Sequence, residues 1–187
     1  MKYRWLGSSG LLVSRISLGT MTFGTDNWGC GEKESHAILQ AFVDAGGNFI
    51  DCADVYAAGR SEEIIGSFLP AVNREELVVA SKCYFPMGQK PNQYGVSRKH
   101  VVASCEASLK RLKTDYLDVL LLHRPDALVE PEEVAQAFDV LEAAGLAERI
   151  QRVGWRTGHR SSPGRALDRR AVLPAGGGPG EPGGCAV

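Results

Sequence analysis

At 187 residues the chain is long enough for one domain with a sizeable core, and its 44% apolar and 23% charged residues are those of an ordinary globular protein. A formal net charge of −1 argues against nucleic acid or an anionic membrane as partner. Five cysteines, at 30, 52, 83, 105 and 185, are odd in number and form no CxxC pair, which argues against a disulfide framework or a structural zinc site and for a reducing cytoplasm.

The first elements are two strand-like pieces, 2–6 and 11–15, around Ser8-Ser9-Gly10, which predict a hairpin. The opening residues lack the continuous apolar core of a signal peptide, and no later run is long enough to span a bilayer. An alternation of strands and helices follows. Residues 16–20 form a short apolar run ending in Gly19-Thr20. The spacing of Ile38, Ala41, Phe42 and Ala45 predicts the buried face of a helix over 32–45, stopped by Gly46-Gly47. Residues 48–51 predict a strand, and Ser61 an N-cap with Glu62 and Glu63 at the positive end of the helix dipole. Residues 77–82 are rich in Val and Ala and predict the next strand. Ser97 predicts the cap of a helix with Val102, Cys105, Leu109 and Leu112 inward. Residues 116–122, YLDVLLL, read as a buried strand; Pro131 opens a helix with Val134, Ala137, Phe138 and Leu141 inward, ended at Gly145. Residues 150–154 predict the stub of a fifth strand.

Four strand–helix repeats predict a parallel α/β architecture, whose sites gather where strands end. Asp51 and Tyr56 follow the second strand of these repeats, Lys82 the third and His123 the fourth. Singly, each has a structural reading: a turn former, a rim aromatic, a solvated strand end, a satisfied histidine. Together they put an acid, a phenol, an amine and an imidazole on one rim. Cys52 and Cys83 neighbour two of these positions and face the opposite side of their strands. Gly178, Gly180 and Gly183 have GxGxxG spacing, but no strand precedes them and Pro179 and Pro182 deny a helix, so they are no dinucleotide fingerprint.

The segment NFIDCADVYAAGRSEEIIG, then ASK and LLLHRPD, resembles the aldo-keto reductase superfamily, as does the opening WLGSSGLLVSRISLGTMTFG. The pattern is similar to the bacterial branch related to potassium-channel β subunits and sugar ketoreductases, from about residue 2 to about residue 145. The resemblance implies a (β/α)8 barrel, here truncated to its first four βα units behind an N-terminal hairpin. It implies NADPH as cofactor and a small-molecule aldehyde or ketone as substrate. It implies a tetrad: Tyr56 as general acid, Lys82 stabilising its phenolate, Asp51 holding Lys82, and His123 orienting the carbonyl and donating to the developing oxyanion. Gly19, Thr20 and Met21 match positions where the family approaches its cofactor; Gly19 is equally read as a tight strand exit. No metal is implied. Walls for a substrate are sought in the loop 22–31, with Phe23 and Trp28, which equally suit packing on the rim, and in the loop 83–95, with Tyr84, Phe85 and Tyr94.

The likeness fails near the end. The family's fifth strand carries a Ser-Asn pair for the nicotinamide amide, whereas Val153-Gly154 is followed here by Trp155-Arg156-Thr157. From Trp155 onward 12 of 33 residues are Gly or Pro and five are Arg, a composition of disorder or of out-of-frame translation. The expected division is therefore a partial barrel over 1–154 and a tail over 155–187. An opened barrel exposes sheet edges, which predicts self-association and impaired turnover. The alternatives are a non-catalytic regulatory protein of the channel β-subunit type and an inert fragment of a damaged gene.

Overall fold

Along each strand successive side chains face opposite sides of the sheet, and that alternation divides the core in two. In the computed structural model, which describes residues 1–7, 9–25 and 27–146, the strands are β1 (Tyr3–Trp5), β2 (Leu12–Ser14), β3 (Leu18–Gly19), β4 (Phe49–Asp51), β5 (Val78–Cys83) and β6 (Val119–Leu122). The helices are α1 (Glu32–Asp44), α2 (Arg60–Phe68), α3 (Arg98–Leu112) and α4 (Pro131–Ala143). β3, β4, β5 and β6 are parallel and adjacent in that order, each followed by one helix, and β1 and β2 pair antiparallel as the expected hairpin. Four βα units in sequential order behind an N-terminal hairpin are the arrangement expected for the first half of a (β/α)8 barrel. The expected strand at 150–154 and the tail over 155–187 lie outside the described residues.

On the inner face Val78, Ala80 and Val119 pack with Leu6 and Val13 of the hairpin. The hairpin thus closes the end of the sheet away from the candidate site. Asn48 fastens it there, accepting from the Ser14 amide at 2.7 Å and donating to the Leu12 carbonyl at 3.1 Å. On the outer face Ile50, Cys52, Val79, Cys83 and Leu120 pack with the helix residues Leu39, Ile64, Phe68, Cys105, Leu112, Phe138 and Leu141. Each large apolar side chain fully buried there stabilises the fold by about 1.5–3 kcal/mol.

Two helices depart from their sequence reading. In α1 the buried stripe is Ser35 and Leu39, flanked by Phe42 and Val43, while Ile38, Ala41 and Ala45 face solvent. Phe42 belongs to both stripes, and the packing of α1 against α2 buries the one that carries Leu39. In α2 the N-cap is Gly59, not Ser61. Ser61 lies inside the helix, fully buried, and its hydroxyl donates to the Thr20 carbonyl at 2.8 Å. The cap is left-handed, with φ +95° at Gly59, and a Cβ there would come 2.8 Å from Arg111 Cδ. Only glycine meets both conditions without cost. The other predicted stops hold: Ser97 caps α3, accepting from His100 N, and Gly145 follows α4 with φ +68°.

Candidate functional site

Two parallel ladders continue past the strand ends and carry Asp51, Lys82 and His123 to one place. Cys52 N donates to Ala80 O at 2.9 Å and Asp54 N to Lys82 O at 3.1 Å, extending β4 along β5. His123 N donates to Cys83 O at 3.0 Å, extending β6 along the other side of β5. Asp51, Lys82 and His123 are the last inward-facing positions before the loops. Tyr56 follows on a 3₁₀ turn, Tyr56–Gly59, whose Ala57 and Ala58 have φ +48° and +54°. Two L-residues in the left-handed region cost about 1–2 kcal/mol each, a local strain held by the surrounding packing.

Lys82 organises the group. Its ammonium donates to Asp51 Oδ2 at 2.9 Å, to the Cys52 carbonyl at 2.6 Å and to the Tyr56 hydroxyl at 3.1 Å. An ammonium has three protons, so three acceptors fix its orientation. The Tyr56 oxygen accepts from Lys82, which leaves its own proton to be given elsewhere. The His123 ring stands edge-on to Tyr56 with centroids 5.9 Å apart. Its Nδ1 is buried and has no hydrogen-bond partner among the described residues. Burial, then the Lys82 charge, holds the imidazole below its ordinary pKa, with Asp51 pulling the other way. Its neutral form is therefore favoured at neutral pH.

The loop after β5 lines one side. Phe85 lies edge-on to His123 at 5.0 Å, Tyr84 edge-on to Phe85 at 5.3 Å, and the hydroxyls of Tyr84 and Tyr94 are 2.7 Å apart. The loop after β3 contributes less than its composition suggests. Phe23 is 2% exposed and packs in the outer core, so it is no wall; Trp28 remains 60% exposed. Gly19 pairs with Asp51 across β3 and β4, and a Cβ there would meet nothing within 4 Å, so open space adjoins the rim. Met21 is half exposed. Thr20 is fully buried, and its hydroxyl donates to the Asp51 carbonyl at 3.1 Å and accepts from Ser61 at 3.0 Å. Its side chain thus braces β3 against β4 and α2 rather than facing the open side.

Cys52 and Cys83 are buried on the outer face, as their strand positions imply. Burial pushes the Cys52 thiol up to about 11 and the Cys83 thiol well above the ordinary thiol range. Among the described residues no cluster of His, Cys, Asp or Glu is arranged to hold a metal ion.

Sequence reasoning missed a second polar layer directly behind the rim. Glu62 is fully buried, accepting from Ser81 Oγ at 2.5 Å and from Arg111 Nε at 2.6 Å. Asp54 is fully buried as well, and neither carboxylate oxygen has a partner among the described residues. Glu62 reads in sequence as an exposed first-turn acid. Its partner Arg111 is 49 residues away, so no local pattern announces the pair.

The family model for the aldo/keto reductase family matches residues 15–156. A probable voltage-gated potassium channel subunit beta of Oryza sativa subsp. japonica is 46% identical over 150 residues, covering 79% of this chain and 44% of the relative. Versiconal hemiacetal acetate reductase of Aspergillus parasiticus is 35% identical over 172 residues, covering 80% of this chain and 50% of the relative. The crystal structure of a thermostable aldo-keto reductase with the inhibitor epalrestat superposes with a TM-score of 0.70 at 31% identity, covering 81% of this chain and 53% of that one. The chain thus spans about half the length of the curated relatives it matches. With a family match over three quarters of its residues and a superposable half barrel, the chain belongs to the aldo/keto reductase family.

Proposed function

We propose that the chain carries the proton-transfer centre of an oxidoreductase that moves a hydride between NADPH and an aldehyde or ketone. The observation that supports this most is the Lys82 ammonium shared among Asp51, Cys52 O and the Tyr56 hydroxyl, with the neutral-favouring His123 ring beside it. Tyr56 is the proton donor to the carbonyl oxygen, Lys82 stabilises the phenolate left behind, and Asp51 holds Lys82 charged and aimed. His123 orients the carbonyl and donates to the oxygen as negative charge develops on it.

NADPH, when bound, supplies the hydride. The open space beside Gly19 at the end of β3 is compatible with a flat ring approaching the rim, and Met21 stands exposed next to it. Gly19 and Met21 are the residues assigned to that contact, with Thr20 acting through the backbone it braces. The division of the chain into a barrel portion over 1–154 and a tail over 155–187 belongs to the same reading; the family match ending at residue 156 supports it.

The test is NADPH binding followed by quenching of protein fluorescence, with oligomeric state recorded in the same sample. Saturable binding followed by oxidation of NADPH with aldehydes or ketones supports the reading; a folded protein that neither binds nor oxidises NADPH overturns it. A second reading is a regulatory subunit that keeps the fold without turnover. It draws on relatives named as potassium channel β subunits in Oryza sativa and Arabidopsis thaliana, at 46% and 41% identity. Recovery of a channel polypeptide on the immobilised chain, unaffected by Tyr56→Phe, would favour it.

A further inference from the structure

Asp54 lies between the two reactive side chains in the chain's own wiring. Its amide donates to the Lys82 carbonyl at 3.1 Å, and two residues later Tyr56 N donates to Ala53 O at 3.1 Å to begin the strained turn. Its carboxyl leaves the rim and enters the layer between sheet and helices, fully buried and without a hydrogen-bond partner among the described residues.

The groups that face it there come from three elements. Glu62 on α2 repels a negative charge, while Arg111 on α3 and Lys82 on β5 attract one. Neither cation is placed to serve it. Arg111 gives Nε to Glu62 and Nη2 to Ser108, and all three Lys82 protons are engaged on the rim. Arg111 and Glu62 already balance each other, so an ionised Asp54 adds a negative charge beside a neutral pair. The thiol of Cys83 on β5 also feels Asp54, and burial keeps that thiol protonated.

We infer that Asp54 is a positioning residue for Tyr56: its carboxyl, while protonated, leaves the Tyr56–Gly59 turn in register with Lys82, and its ionisation displaces that turn and releases the phenol. Such an uncompensated buried charge is relieved by moving the loop that bears it, and that loop is the one that carries Tyr56. Arg111 also covers Gly59 at the end of the same turn, so a shift of the Glu62–Arg111 pair reaches the far end of the turn that carries Tyr56. Burial, then Glu62, pushes the Asp54 carboxyl up to about 7, opposed by the Val55 amide, Arg111 and Lys82, which places the change within the neutral range.

The inference takes its importance from the reading of Tyr56 as proton donor, but its test needs no turnover, so an inactive protein leaves it standing. The full chain is labelled with 13Cζ-tyrosine, and the Tyr56 resonance is assigned by its loss in Tyr56→Phe. A step in that resonance with a midpoint near pH 7 is expected, absent in Asp54→Asn and retained in His123→Asn. No step in the wild type, a step that survives Asp54→Asn, or one abolished by His123→Asn would overturn it. Should Asp54→Asn fail to fold, 13Cγ-aspartate titration of the wild type decides: one aspartate titrating near neutrality is expected, and all titrating below pH 5 would overturn it.

Discussion

The Lys82 ammonium stands 3.1 Å from the Tyr56 hydroxyl oxygen and 2.9 Å from Asp51 Oδ2, so one side chain bridges a phenol and a carboxylate contributed by the neighbouring strand and its loop. The bridge spans 26 and 31 residues of sequence, and the parallel pairing of β4 with β5 creates it. Lys82→Met removes all three donors while keeping the length of the stem. Carbonyl reduction should fall by about 10²–10⁴-fold, as for loss of assisted proton transfer. Stability should fall by about 1–3 kcal/mol, since Asp51 and Cys52 O lose a charged donor. Steady-state rates and urea unfolding on the same preparation check both.

The Glu62–Arg111 pair makes a sharper demand on stability. Glu62 is fully buried, so Arg111→Met leaves an uncompensated carboxylate under the sheet. The expected loss is about 3–5 kcal/mol by urea unfolding. Glu62→Gln combined with Arg111→Met removes both charges and should recover most of it. Failure of the double variant to recover would show that packing of the Arg111 stem over Gly59, rather than charge, carries the contribution.

Asp54 gives stability a pH dependence of definite sign. A carboxyl whose pKa is about 7 in the folded chain and 3.8 as a free side chain binds more protons folded than unfolded between those values. Stability is therefore lost as pH rises from about 4 to about 7, by at most about 4 kcal/mol, and stays lost above. Asp54→Asn should raise the unfolding midpoint at pH 8 and change it little near pH 4. Thermal unfolding across that range reads the difference.

His123 acts at the acid side. Its imidazole is held below its ordinary pKa by burial and by Lys82, so the unfolded chain takes up the proton first as pH falls below about 6.5. Stability should decline there as the buried ring resists protonation, and His123→Asn should remove that part of the decline. A wild type and variant with parallel curves between pH 7 and pH 5 would show the ring to be more open to solvent than its buried Nδ1 implies.

The strand ends were legible because in a parallel sheet they are where apolar runs stop, and Asp51, Lys82 and His123 each follow such a run. Tyr56 was legible as a residue shortly after a strand end, but its approach to Lys82 was not, since it depends on a turn with three left-handed residues. Phe23 stays open between wall and packing in the sequence, because an aromatic in a rim loop reads alike whether it turns out or packs inward; the structure packs it into the outer core. Ser61 resembled a cap because Ser before two glutamates is a common helix start; Gly59 starts the helix earlier, and Thr20 takes the Ser61 hydroxyl from 41 residues away. Asp54 and Glu62 were invisible as a buried layer because charge in a sequence suggests solvent, and the partner that meets buried Glu62, Arg111, arrives on α3 from 49 residues away.

The central claim is that Tyr56 gives its proton to a carbonyl oxygen. It is tested most directly by following NADPH oxidation at saturating cofactor with a panel of aldehydes and ketones, comparing wild type with Tyr56→Phe. The account predicts measurable oxidation by the wild type and a loss of about 100-fold or more in the variant, with fluorescence-detected NADPH binding unchanged. Equal rates in the two proteins, or a wild type that binds NADPH and oxidises it with none of the carbonyls, would contradict it.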